Sequence, residues 1–319
     1  MTSLATLLER TLIVSAPMAG AAGGRLAHAV TEGGGLGMVG TRGTSSRAWI
    51  AEQAAIAGAG GTALRGDSVA PQGTPFGIGL MAWPPSVTEQ VEAVLALEGE
   101  QRPAFVSVSF GPLAEPVARL REAGLPVVSQ VGDEADIEEA LAADVDGLVA
   151  RGGEGGGHGR DAMPTEEILR LALAATDRPV LAAGGIATSD DVAAVLAAGA
   201  AAAWCGTAFL TCREADNSEA ARAALARATG TRYSRVHDVA QELAWPPQFG
   251  ARAVATPFVR EWAGREHEMD AAARAEHAAG RERGDVAYVP LYAGVGVERL
   301  TSGTDAATVV AELTPGGRG

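Results

Sequence analysis

A chain of 319 residues with 47% apolar side chains can bury a large core, so disorder and a small stapled fold are excluded. A net charge of −14, with arginine as the sole strong cation and no basic run, argues against nucleic acid or an anionic membrane surface as partner. Cys205 and Cys212 are too few for a disulfide framework and lack metal-site spacing, which suits a reducing compartment.

The first element is "TLIVSAPMAGAAGG" from residue 11. It has no positively charged leader and breaks early at Pro17, so it reads as a strand and its turn, not as a secretion signal. No apolar run reaches the roughly 18 residues of a membrane span, and a cytoplasmic location is expected. Further strands follow at "LGMVG" from 36, "PFGIGL" from 75, "AFVSVSF" from 104 and "PVVSQV" from 126. The last three are "DGLVARG" from 146, "PVLAAGG" from 179 and "AAAWCGT" from 201. Between them lie amphipathic stretches that open on Ser, Thr or Asp and close on glycine, as helices do. Eight apolar strands alternating with helices predict a (β/α)8 TIM barrel over residues 1–211, with a doubly wound sheet as the alternative. A long glycine-rich connection spans 58–74, of the length often found in functional loops. Residues 212–289 are expected to form a helical appendage broken at "AWPPQFG", and 290–319 a return segment and C-terminal tail.

Barrel chemistry collects where strands end on their C-terminal side. The seventh strand ends in Gly184-Gly185 and the eighth in Gly206-Thr207. Glycines there can expose amides to a phosphate, with the Thr207 hydroxyl as a further donor, or can simply make tight turns. Pro17-Met18-Ala19 after the first strand offers a rigid edge suited to a flat ring, or a plain turn. Gln130, ending the fifth strand, can meet a heterocycle edge or cap the next helix. After the sixth strand comes "RGGEGGGHGR", whose glycines, Gly157 among them, would let the chain pass close to a planar ligand beneath His158. That histidine can move a proton or donate to an oxyanion, and Glu154 either orients it or is an exposed loop carboxylate. The remaining histidines read as structural. Together these residues point to a phosphorylated planar cofactor, with FMN the economical choice, and no metal site.

In "APMAG", "GGLGMVG", "PFGIGL", "GLVARGGEGGGHGR", "PVLAAGGIATSDDVAAVLAAGA" and "CGTAFL", in that order, the chain resembles the nitronate monooxygenase family of FMN-dependent barrels. The resemblance implies that Pro17, Met18 and Ala19 line the flavin, that Gln130 contacts its rings, and that Gly184, Gly185, Gly206 and Thr207 hold the phosphate. It makes His158 the catalytic residue. It also implies oxidation of a small alkyl nitronate with dioxygen to a carbonyl compound and nitrite. Gly79 in "PFGIGL" stands where the family commonly has asparagine, which bears on the substrate pocket. The alternatives are an NAD(P)H-dependent reductase of the enoyl-acyl-carrier-protein or quinone type and a non-catalytic flavin-binding protein. A lyase working through a Schiff base is disfavoured because the chain has no lysine. A homodimer is compatible with all of these.

Overall fold

The computed structural model describes residues 3–59, 73–300 and 303–316, so most of the 58–74 connection lies outside the described residues. The chain begins with helix α1 (Leu4–Leu8), β1 (Ile13–Ser15), α2 (Gly24–Glu32), β2 (Gly37–Gly40), α3 (Arg47–Gly58) and β3 (Phe76–Met81). It continues through α4 (Val87–Leu95), β4 (Phe105–Ser109), α5 (Ala114–Glu122), β5 (Val127–Val131), α6 (Glu134–Ala142) and β6 (Gly147–Arg151). A short strand β7 (Gly157–Gly159) precedes α7 (Thr165–Ala175), β8 (Val180–Ala183), α8 (Ser189–Ala197) and β9 (Ala202–Cys205).

The strands form because Val, Leu, Ile and Ala runs are buried on both faces, as in β4 and β6, where every residue is buried. The helices start where a side chain can satisfy an orphan amide. Ser46, Asp133 and Thr188 accept from the N–H of Trp49, Asp136 and Asp191, and Thr188 completes a capping box with Asp191.

Eight parallel strands pair in the order β1-β9-β8-β6-β5-β4-β3-β2. The ring closes between β1 and β2, where Ser15 N–H donates to Leu36 O at 3.0 Å and Leu36 N–H donates to Ile13 O at 2.9 Å. The fold is therefore a (β/α)8 barrel. Its interior is filled by Val14, Met38, Phe105, Val128, Val149, Leu181 and Trp204. Leu4, Leu7 and Leu8 of α1 join the same cluster, so the first helix plugs the barrel floor. Each such leucine contributes about 1.5–3 kcal/mol of burial.

After β9 the chain leaves the barrel through α9 (Glu219–Leu225), β10 (Thr231–Ser234), α10 (Val236–Ala240), β11 (Gly250–Val254), α11 (Pro257–Trp262) and α12 (Ala271–Glu282). Helix α13 (Ala306–Leu313) then packs against α2 and α8. Two expectations are corrected here. The barrel does not end at residue 211, because its eighth helix is α13, supplied after a long excursion. Nor is the excursion wholly helical: β10 and β11 form an antiparallel ribbon, and β11 pairs with β7 in register Ala251↔His158. The signal for β7 was weak because "GHG" has no β-branched residue; it is a strand only because β11 lies beside it.

Candidate active site

The C-terminal strand ends make a contiguous ring of close contacts. A Cβ on Gly79 would meet Pro17 Cβ at 2.4 Å, and one on Gly40 would meet the Pro17 and Met18 carbonyl carbons at 2.6 Å. Beyond them Gly206 faces Ala16 and the Met18 sulfur, where a Cβ would sit at 3.3 and 3.5 Å. Thr207 Oγ1 accepts from the Gly294 N–H at 2.9 Å, and Val295 N–H donates to Glu154 O at 3.0 Å. Residues 293–296 thus cross from the end of β9 to the loop after β6 and touch Gly185 on the way. Gln130, half-buried at the end of β5, anchors its N–H on Ser109 Oγ at 2.9 Å. Pro17 and Met18 are half-buried, whereas Ala19 is exposed.

The N–H groups of Gly184, Gly185, Gly206 and Thr207 make no turn or loop hydrogen bond to backbone among the described residues. Gly184 and Gly185 have φ of 115° and 71°, conformations that a side chain resists. Because Thr207 Oγ1 already accepts from Gly294, its own proton is available to donate. The N-terminus of α8 is closed, since the Asp191 carboxylate takes the amides of Ala187 and Thr188. Gly157, at φ 74°, would place a Cβ in open space. Free amides, a donor hydroxyl and a clear approach at Gly157 fit a phosphorylated planar group.

Most glycines of the 152–159 segment have another purpose than the one expected from sequence. Arg151 is only 4% exposed, and its guanidinium donates to the carbonyls of Gly155, Gly156, Gly157 and Arg160. Cβ atoms on Gly155 or Gly159 would strike that guanidinium at 2.8 and 2.1 Å. The loop therefore wraps a buried cation, and burial pushes the Arg151 pKa down to about 10. Glu154 does not orient the imidazole. Its Oε2 accepts from the Thr165 N–H and Oγ1 at 3.0 and 2.9 Å, capping α7.

His158 is held instead by residues of the excursion. Its Nε2 lies 2.8 Å from Asp238 Oδ1, and the Asp238 side chain is only 1% exposed. Asp238 Oδ2 lies 3.6 Å from Arg235 Nε, and the Arg235 guanidinium donates to Trp245 O at 2.8 Å. The Trp245 ring stacks on the imidazole with centroids 3.7 Å apart and planes 5° apart. These four residues form a closed cycle, which extends through Trp83, Phe110 and Phe249 into an aromatic wall. Sequence reasoning missed Asp238, Arg235 and Trp245. Nothing distinguishes Asp238 among 39 acidic residues, although a tryptophan in the proline break "AWPPQFG" was a usable signal.

Nearby, His237 and His277 are buried, with Nδ1 and Nε2 3.2 Å apart. Burial pushes their pKa values down to about 3 and about 4. Cys205 and Cys212 are buried free thiols, raised by burial to about 12.

A closed parallel barrel whose C-terminal strand ends carry amides without turn or loop partners and an anchored histidine, among the described residues, defines a barrel enzyme acting on small molecules. The chain belongs to the nitronate monooxygenase family, whose model matches residues 81–316. Members of that family are flavoprotein oxidoreductases. The chain is similar to the nitronate monooxygenase of Paraburkholderia phytofirmans, 31% identical over 343 residues, 94% of this chain and 90% of that one. It is also similar to the solved nitroalkane oxidase of Streptomyces ansochromogenes, with 27% identity, a TM-score of 0.74 and 96% of each chain covered. In fold it matches FabK from Thermotoga maritima, with a TM-score of 0.78 at 24% identity over 98% of this chain and 94% of that one. Among the described residues, no helix is long and apolar enough to cross a membrane.

Proposed function

We propose that the protein is an FMN-dependent nitronate monooxygenase that converts small alkyl nitronates and dioxygen to a carbonyl compound and nitrite. The observation that carries this proposal is His158, fixed at the barrel mouth through Nε2 with Nδ1 making no hydrogen bond among the described residues. In this role Gly184, Gly185, Gly206 and Thr207 hold the phosphate through N–H and O–H donors. Pro17 and Met18 form the ring platform, with Ala19 at its rim and Gln130 and Gly157 at the ring edge. When bound, FMN supplies the two-electron acceptor and the route of electrons to dioxygen. His158 meets the substrate through Nδ1, which donates to the nitronate oxygens once it carries a proton, and the aromatic wall of Trp83, Phe110 and Phe249 excludes water from the alkyl part. A cytoplasmic enzyme needing no metal is consistent with this role.

The test is anaerobic stopped-flow reduction of the bound flavin by a small alkyl nitronate, NADH and NADPH. Fast bleaching by the nitronate alone is expected. Fast bleaching by NADH or NADPH in place of the nitronate would reassign the protein to the reductase class. Unchanged flavin redox activity in His158→Ala would remove the catalytic assignment.

A further inference from the structure

We propose that Asp238 is the positioning residue of the site and that it sets the imidazole tautomer. It holds the His158 proton on Nε2 and leaves Nδ1 bare as a proton acceptor for neutral nitroalkanes. This rests on the function proposed above and adds to it the residue that positions its histidine.

A neutral imidazole carries one proton, and the hydrogen bond at one nitrogen decides what the other can do. A carboxylate only accepts, so the nitrogen facing Asp238 Oδ1 at 2.8 Å must donate. Three restraints keep the ring from turning away. Trp245 covers one face at 3.7 Å, Tyr292 leans on it with centroids 5.3 Å apart, and the β7–β11 pairing fixes its backbone opposite Ala251. Asp238 is itself fixed: it sits on α10, almost fully buried, with Arg235 Nε 3.6 Å from its second oxygen. Nδ1 makes no hydrogen bond among the described residues and is not among the buried polar atoms lacking a partner, so it faces accessible space. A lone pair held in this way can take the α-proton of a nitroalkane. The C–H bond breaks, the proton goes to Nδ1, and the electron pair passes from carbon into the nitro group to give the nitronate. The imidazolium formed faces the Asp238 carboxylate, which stabilises its charge.

Asp238→Asn tests this with little change of shape, because the amide can donate to Nε2 and reverse the tautomer. The first measurement is 15N NMR of histidine-labelled protein, with His158 assigned by its loss in His158→Ala. The wild type is expected to show a protonated Nε2 and a bare Nδ1, and Asp238→Asn the reverse. A wild-type imidazole protonated on Nδ1 would overturn the proposal whatever the enzyme's substrate. The second measurement compares kcat/KM for nitroethane and for ethylnitronate, both with dioxygen. The nitroethane value is expected to fall about 100-fold or more in Asp238→Asn, the range for loss of a general base. The nitroethane-to-nitronate ratio should fall at least about tenfold, with partial rescue in Asp238→Glu. An unchanged ratio would overturn the assignment of Asp238. A wild type that consumes neither compound would instead remove the proposed function, with the NMR result still deciding the tautomer.

Discussion

The ring of Pro17 stands where a side chain on Gly79 would begin, with Pro17 Cβ and Cγ 2.4 and 2.5 Å from an ideal Cβ at that position. Gly79 therefore leaves no hole in the pocket wall; the proline that ends the β1 turn fills it. Gly79→Asn must displace the Pro17–Met18 platform. It is expected to cost about 1–3 kcal/mol as an overpacked site. The loss should appear as a lower melting temperature together with less flavin retained on purification, measured by visible absorbance against protein.

Thr207 and Gly294 join the barrel to the segment that crosses its mouth. Thr207→Val keeps the shape but removes both the acceptor for Gly294 N–H and the donor assigned to the phosphate. FMN binding is expected to weaken at least about tenfold, near the value of one unmade hydrogen bond. Thr207→Ser should restore most of it. Titration of apoprotein with FMN, followed by flavin fluorescence, gives both numbers.

Arg151 ties four carbonyls of the histidine loop with a buried guanidinium. Arg151→Met keeps the stem but leaves those carbonyls without their donor. A loss of about 3 kcal/mol or more in urea unfolding is expected, the scale of several unsatisfied buried polar groups. The same variant should lose activity even below its unfolding midpoint, because β7 and His158 depend on the loop.

The His237–His277 pair makes stability sensitive to acid. Burial, the largest cause, holds the folded-state values near 3 and 4, below the ordinary 6.5. The unfolded chain then binds protons that the native state refuses, so stability is full above about pH 6.5 and is lost as pH falls toward 4 and then 3. Each histidine contributes a slope of up to about 1.4 kcal/mol per pH unit in that window. Urea midpoints measured from pH 7.5 to 4.5 should fall steeply in the wild type, and less steeply in His277→Leu relative to its own midpoint at pH 7.5. Equal slopes would show that the pair is not the acid-sensitive element.

The eight barrel strands were legible because a strand covered on both faces must read as a continuous apolar run. The Gly184-Gly185 pair after the seventh barrel strand was legible because few other residues tolerate φ of 115° or 71°. His158 was legible from its place in a barrel-top loop. Arg151 escaped notice because a buried guanidinium is recognised only by the carbonyls that converge on it, and those belong to a loop whose glycines suggested a ligand.

By itself, then, the sequence determined the barrel, its strand ends, and the glycine-rich loop that carries His158. Those are local properties, set by hydrophobic periodicity, turn chemistry and residue type. Only the tertiary structure decided what orients that histidine and where the barrel ends. Asp238 is eighty positions from His158, and α13 follows a long excursion before it packs beside α2 and α8. Such partnerships depend on β11 pairing with β7 and on helix faces meeting across the fold, and no pattern within a short window of sequence encodes them.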